Sequence, residues 1–331
     1  MKLKKCAALL LVSSCLLTGC TTSSAKKVDS KYVVASLEKG NKTKNIFADN
    51  LYKDIIDNSS NNSTVFNAVL QNLVDQKFPV NDDMKEDAAT IIKQIKSAYK
   101  SNYGDNYKDS LNQALTSAGY KNLSEYRQKM IKQIQYANFL LDYIDDHFDD
   151  VFNDYYQQCA PKYVSLIKIS VSDTSSPTDD ETSKLNEVKE LISNTDKSFG
   201  DIAQDYSNDS TSSKKGSLDI VDSKDTSGIA NSYGKDVFNA IEALSEGQVS
   251  DVITGDDGYY FVKVTSTDKK TLKKELKKTD IDSPLLAYDD YLQYVVYNSY
   301  KINYKDKDIK KIVQEVVNKA LEERKTERGE A

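Results

Sequence analysis

The apolar residues of this chain change their spacing twice, and that limits the folds open to it. From residue 30 to about residue 160 they recur every three or four positions. "DDMKEDAATIIKQIKSAYK" sets Met84, Ala88, Ile91, Ile92, Ile95 and Tyr99 on one stripe, with Asp83 and Glu86 in capping-box spacing ahead of it. "LSEYRQKMIKQIQYANFLLDYIDDHF" puts Leu123, Tyr126, Met130, Ile134, Ala137, Leu141, Ile144 and Phe148 on one long face. Such a face must pack against another helix or a partner. From residue 162 the period becomes that of strands. "KYVSLIKISV" opens the stretch, helical spacing follows at Leu185, Val188, Leu191 and Ile192 and again at Phe199, Ile202, Ala203 and Tyr206, and "GSLDIV", a helix near 235–245 and "GYYFVKVTS" close it. That order predicts an α+β module over 162–267, its helices covering a small, largely antiparallel sheet. Residues 282–331 are helical again. Helical segments on both sides of the sheet module predict an insertion, with the C-terminal helices packing on the N-terminal part (30–160).

The first residues read "MKLKKCAALLLVSSCLLTGCTTSSAKK". Lys2, Lys4 and Lys5 precede an apolar run from Cys6 to Leu17, shorter than the roughly 20 residues that span a bilayer. Leu17-Thr18-Gly19-Cys20 then has the form of a bacterial lipobox. The expectation is a signal peptide over 1–19, lipidation at Cys20, and a small, polar tether over 20–29. The plainer alternative is a signal peptide with an incidental Cys.

Of four Cys, three fall in or at the end of that leader, which leaves Cys159 and excludes an intrachain disulfide in the mature chain. One Cys and one His, His147, cannot build a Cys- or His-based metal centre, so neither metal nor cofactor is expected. A Cys159–His147 catalytic pair has no nucleophile-elbow context. The net charge of −6 is spread without a long block of one sign, which gives no footing for nucleic-acid binding.

"FGDIAQDYSND", "KKGSLDI" and "EALSEGQVSDVITGDDGYYFVKV" together resemble the parvulin family of peptidyl-prolyl isomerases. The matching positions are Phe199, Ala203, Tyr206, Ser207, Asp209, Gly216, Leu218, Ala240, Leu244, Gly247, Val249, Ser250, Gly258, Tyr259, Lys263 and Val264. With the lipobox, the helical N-terminal region and "KINYKDKDIKKIVQEV" behind the module, the whole mature chain resembles foldase lipoproteins of the PrsA type. The resemblance implies an anchored protein on the extracytoplasmic face of a bacterial cell membrane. Its implied partners are unfolded or newly exported proteins, with a second copy of the chain as a candidate dimer partner.

The family catalyses rotation about X-Pro bonds, whose barrier of about 18–20 kcal/mol comes from amide resonance. It surrounds the twisting amide with a polar network of two His and an Asp or Cys. Here Leu166 stands at the first His position and Tyr260 at the second. Asp209 keeps the acidic member and Leu218 one pocket wall. Val237 falls at the family's pocket Phe, with Phe238 one residue off, and Gly234 at its pocket Met. Asp209 and Tyr260 are thus the candidate catalytic residues, and Leu218, Val237 and Phe238 the candidate peptide-binding ones. Leu166 offers no hydrogen bond, whereas Tyr260 can donate or accept. Two functions stay open: a binding module that has lost catalysis, and an isomerase with a non-standard site. Tyr260 as a packed strand residue and Asp209 as a loop cap are the plainer readings of those two side chains.

Tyr288, Tyr291, Tyr294, Tyr297 and Tyr300 recur every third residue near the C-terminus. On one helix they would sweep about 240°, with Tyr294 and Tyr297 outside the core side unless a neighbouring helix covers them.

Overall fold

In a computed structural model, described over residues 27–39, 42–194, 196–276 and 280–330, the chain divides into two compact units. The leader, the lipobox and Cys20 lie outside the described residues. One unit runs over Val80–Asp290; the other joins residues up to Pro79 with those from Tyr291 onward. No helix among the described residues is long and apolar enough to cross a membrane.

In the second unit, β1 (Lys27–Val28), β2 (Lys31–Lys39) and β3 (Lys42–Phe47) form an antiparallel ribbon in that order. Helical spacing read from residue 30 is therefore corrected over 31–39 and 42–47. Tyr32-Val33-Val34 is β-branched and aromatic, and Gly40-Asn41 is a turn signal, which outweighs any helical period. Then come α1 (Ala48–Ile56) and α2 (Asn62–Lys77). Val65, Phe66, Leu70 and Val74 of α2 are buried, and this helix packs against the C-terminal one.

The first unit continues with α3 (Asp82–Tyr103), α4 (Tyr107–Ser117), α5 (Leu123–Asp146) and α6 (Phe148–Cys159). The cap of α3 is Asn81 rather than Asp83; its carboxamide accepts from the Met84 amide at 2.9 Å. Met84, Ala88 and Ile92 meet Leu111, Leu115, Tyr126, Met130 and Ile134 in one core. His147 separates α5 from α6, so Phe148 begins a new helix. The exposed ring of His147 stacks on Tyr143 at 4.2 Å, whereas Cys159 is fully buried. They bracket α6, about 18 Å apart at 1.5 Å per residue, which rules out the catalytic pair.

The sheet module comprises β4 (Lys162–Ser170), α7 (Asp179–Asn194), α8 (Phe199–Tyr206), β5 (Ser217–Val221), α9 (Ile229–Tyr233), α10 (Lys235–Ala243), β6 (Ile253–Gly255) and β7 (Gly258–Ser266). Its four strands run in the order β5-β4-β7-β6, each pair antiparallel, so the first and last strands of the module are the central neighbours. Strict alternation sorts the side chains by face. Ile167, Ile169 and Phe261 pack under α7 and α8. Val164, Leu166, Tyr260 and Val262 pack with Ile229, Val237 and Ile241 of α9 and α10. The Lys162 ammonium donates to the carbonyls of Ile241, Glu242 and Leu244 at 2.9, 2.6 and 3.1 Å, closing the C-terminal end of α10.

A buried carboxylate ties α6 to the module. Asp222, with no exposed surface, accepts from the Tyr155 hydroxyl at 2.8 Å, the amides of Lys224 and Thr226 at 3.0 and 3.2 Å, and the Thr226 hydroxyl. Tyr155 meets Tyr288 edge-on at 5.4 Å.

After α11 (Lys269–Leu276) and a turn at Pro284–Leu286 come α12 (Leu292–Ser299) and α13 (Lys307–Glu327). The tyrosine run does not lie on one helix: α12 holds only Tyr294 and Tyr297, because the Asp289-Asp290 pair, poor in helix propensity, interrupts it. A neighbouring helix does cover them. Phe66 of α2 stacks on Tyr294 at 5.0 Å and meets Tyr297 edge-on at 5.1 Å; Tyr297 is buried and Tyr294 half-buried.

Candidate functional site

The site face is set by strand register. Leu166 of β4 pairs with Val262 of β7, and Lys168 with Tyr260, so these four side chains share the face under α9 and α10. Leu166 has no exposed surface and sits among Leu218, Val237 and Ile241. Its burial contributes about 2–3 kcal/mol. Gly216 is required beside it: φ is +76°, and a Cβ there would lie 2.4 Å from the Leu166 carbonyl oxygen.

Tyr260 is 2% exposed. Its hydroxyl donates to Asp257 Oδ1 in the turn before β7, and Asp257 Oδ2 takes the Lys168 ammonium. That ammonium also stands 5.5 Å from the centre of the Tyr260 ring. On the other side Tyr233, at the end of α9, meets the ring edge-on at 6.2 Å. The Tyr233 hydroxyl reaches Asp209 Oδ1 at 3.4 Å, a long bond, while the same oxygen accepts the Thr211 amide at 2.9 Å. Asp209 is therefore both a loop cap and the acceptor of Tyr233, and a ring contact joins that pair to the hydrogen-bonded set Tyr260–Asp257–Lys168. Burial first, and then the Asp257 carboxylate, push the Tyr260 hydroxyl above its ordinary value. Burial and then Asp209 do the same for Tyr233. Both phenols are neutral donors at physiological pH.

Of the candidate peptide-binding residues, Leu218 and Val237 are buried in the core at 7% and 1% exposure, and Phe238 is half-buried at its edge. Gly234, at φ +98° between α9 and α10, has nothing within 4 Å of where a side chain would begin. Lys168, Tyr233 and Asp257 were not singled out from sequence. Lys168 was within reach, being two residues beyond Leu166 on the same face of an alternating strand, and Asp257 sits in the turn signal before Tyr260. The approach of Tyr233 is tertiary. Among the described residues no group of three or more His, Cys, Asp or Glu side chains stands placed to hold a metal ion.

Residues 166–266 match the rotamase family described as "PPIC-type PPIASE domain". The module is a PPIC-type, parvulin-like domain. This chain is also 31% identical over 141 residues to the "Foldase protein PrsA" of Staphylococcus aureus, covering 40% of this chain and 41% of that protein. The same protein of Staphylococcus epidermidis gives the same identity and coverage. The match thus spans about two fifths of the length of these relatives. Among solved structures, PrsA from Bacillus subtilis aligns over 85% of this chain and 98% of its own, at 21% identity and a TM-score of 0.39. Within the PPIC-type domain, Leu166 is a core leucine and the Tyr260 hydroxyl is held by Asp257.

Proposed function

We propose that this protein is a membrane-anchored, extracytoplasmic foldase that holds unfolded or newly exported proteins, and that its PPIC-type domain grips client segments without ordinary turnover. The similarity to PrsA foldases supports the foldase part and the lipobox at Cys20 the anchoring and location. One observation carries the loss of catalysis: Leu166 is sealed into the core at the position where the family needs a donor, with no exposed surface. A single lost donor to a developing charge costs about 10²-fold or more in rate.

The test combines two assays on the full mature chain, proline-limited refolding of a substrate protein and suppression of client aggregation. Suppression with no acceleration of the proline phase is expected. Acceleration at the level of ordinary parvulins refutes the reading. In cells, Cys20→Ala should release the protein or leave it uncleaved; fractionation and migration like wild type would remove the anchor.

A second reading, an isomerase using a non-standard site, is favoured by the neutral donors Tyr233 and Tyr260 next to Asp209. It predicts that Tyr260→Phe abolishes whatever rotamase activity is measured; unchanged activity in that variant excludes it.

A further inference from the structure

We propose that the hairpin of β2 and β3 is a lipid-contacting surface that lies on an anionic bilayer next to the anchor, a proposal that rests on the lipobox reading of Cys20. Exposed apolar side chains gather at this end of the chain. Val28, Tyr32, Val34 and Ile46 of the ribbon, with Leu51, Tyr52 and Ile55 of the adjoining α1, are 40–45% exposed, and beyond residue 55 only Tyr103 is a large apolar residue so exposed among those described. Val34 is the extra residue of a bulge between Val33, which pairs with Phe47, and Ala35, which pairs with Ile46, while Val33 and Phe47 are both half-buried.

The ribbon also lacks a core. None of the described side chains of β1, β2, β3 or α1 is buried. A small ribbon without a packed face is marginal in water, and a surface that covers it would stabilise it.

Charge and tether length decide what covers it. Residues 26–47 hold six Lys against Asp29 and Glu38, in a chain whose net charge is −6. The Lys27 ammonium stands 4.6 Å from the centre of the Tyr32 ring, a pairing of cation and aromatic suited to a headgroup layer. By contrast α1 carries Asp49, paired with Lys31 of β2 at 3.3 Å, and Asp54 against Lys53, with Asp57 as its C-cap, so the hairpin and not the helix meets the negative surface. Only Thr21–Lys26 separate Cys20 from β1. Six residues reach at most about 20–22 Å, which keeps the ribbon at the membrane surface once Cys20 is lipidated. A second copy of the chain or a client could cover apolar side chains, but neither accounts for the basic excess or the short leash.

The chain has no Trp, so Tyr32→Trp in the full-length, lipidated protein is a single reporter. It is reconstituted in vesicles of phosphatidylglycerol and phosphatidylcholine carrying brominated acyl chains, and in vesicles of phosphatidylcholine alone. Blue-shifted emission quenched by the brominated chains, strongest with phosphatidylglycerol, is expected; a reporter at Tyr103→Trp should stay unquenched. Adding Lys27→Glu and Lys44→Glu, both on exposed positions, should weaken binding to the anionic vesicles about tenfold or more. An unquenched reporter in protein whose mass shows lipid on Cys20 overturns the proposal. So does a reporter that is blue-shifted yet unquenched while protomers cross-link, which marks a dimer face. If the mass shows no lipid on Cys20, the anchor reading itself has failed. Flotation of that protein with the anionic vesicles then decides the hairpin: binding lost on the Lys reversals supports it, and absence of binding overturns it.

Discussion

Replacing Leu166 by His installs the residue that the parvulin resemblance implies there, where the structure has no room for its chemistry. Leu166 is fully buried opposite Val262, and its neighbours Leu218, Val237 and Ile241 are all apolar. Leu166→His gives up about 2–3 kcal/mol of leucine burial and adds ring nitrogens with no partner, at about 1–3 kcal/mol. The variant should lose about 3–6 kcal/mol, a large part of the roughly 5–15 kcal/mol of an ordinary domain. Burial in turn lowers the folded-state pKa of the new imidazole below its unfolded value of about 6.5. The unfolded chain then binds the proton more tightly, so the loss should deepen as pH falls below that value. Guanidinium unfolding at pH 8 and pH 6 measures both effects. Proline-limited refolding is measured in parallel with Leu166→His, Tyr260→His and the double variant, and none should gain turnover. A double variant as stable as the parent and active on prolyl bonds would refute the reasoning, since a working site would then lie intact beneath Leu166.

Tyr155→Phe removes the hydroxyl that Asp222 accepts at 2.8 Å, both residues being fully buried. It should cost about 1.5–3 kcal/mol in denaturant unfolding. Phe66→Ala deletes the ring against which Tyr294 and Tyr297 pack, and should cost about 3–5 kcal/mol, read from the near-ultraviolet tyrosine signal. The amides of Thr178 and then Ser172 hold the half-buried Glu181 carboxylate down to about 2. Its folded-state pKa is depressed, so its contribution should be present at neutral pH and fade as pH falls from about 4.5 towards 2; carbon-detected NMR titration of Glu181 checks the value, and a midpoint near 4.5 would count against the turn.

The module was legible because each of its helices and strands carries its own period. Leu185 and Val188, or Leu166 and Ile167, declare their faces without help from distant residues, and the motif around Gly258 located Tyr260. Elements whose shape depends on something else were not legible. In β2 and β3 none of the described side chains is buried, so nothing among them imposes a two-residue rhythm over a helical one. The tyrosines after Asp290 looked like one stripe because the change from turn to helix there leaves the spacing of three undisturbed. At the site, sequence placed Leu166, Tyr260 and Asp209, but that Tyr233 would bridge Tyr260 and Asp209 depends on how α9 folds over the sheet. The candidate wall Val237 belongs to the core for the same reason.

The order β5-β4-β7-β6 has a mechanical consequence. Tyr163, near the start of β4, faces Ser266, at the end of β7, so the chain enters and leaves the module at one end of two adjacent central strands. A pull applied through α6 and α11 would load their hydrogen bonds one after another, as a zipper is opened, instead of shearing them all at once. Such a junction yields at low force. The sheet would open from the Tyr163–Ser266 end, where the extra residue Thr265 of β7 already interrupts the ladder.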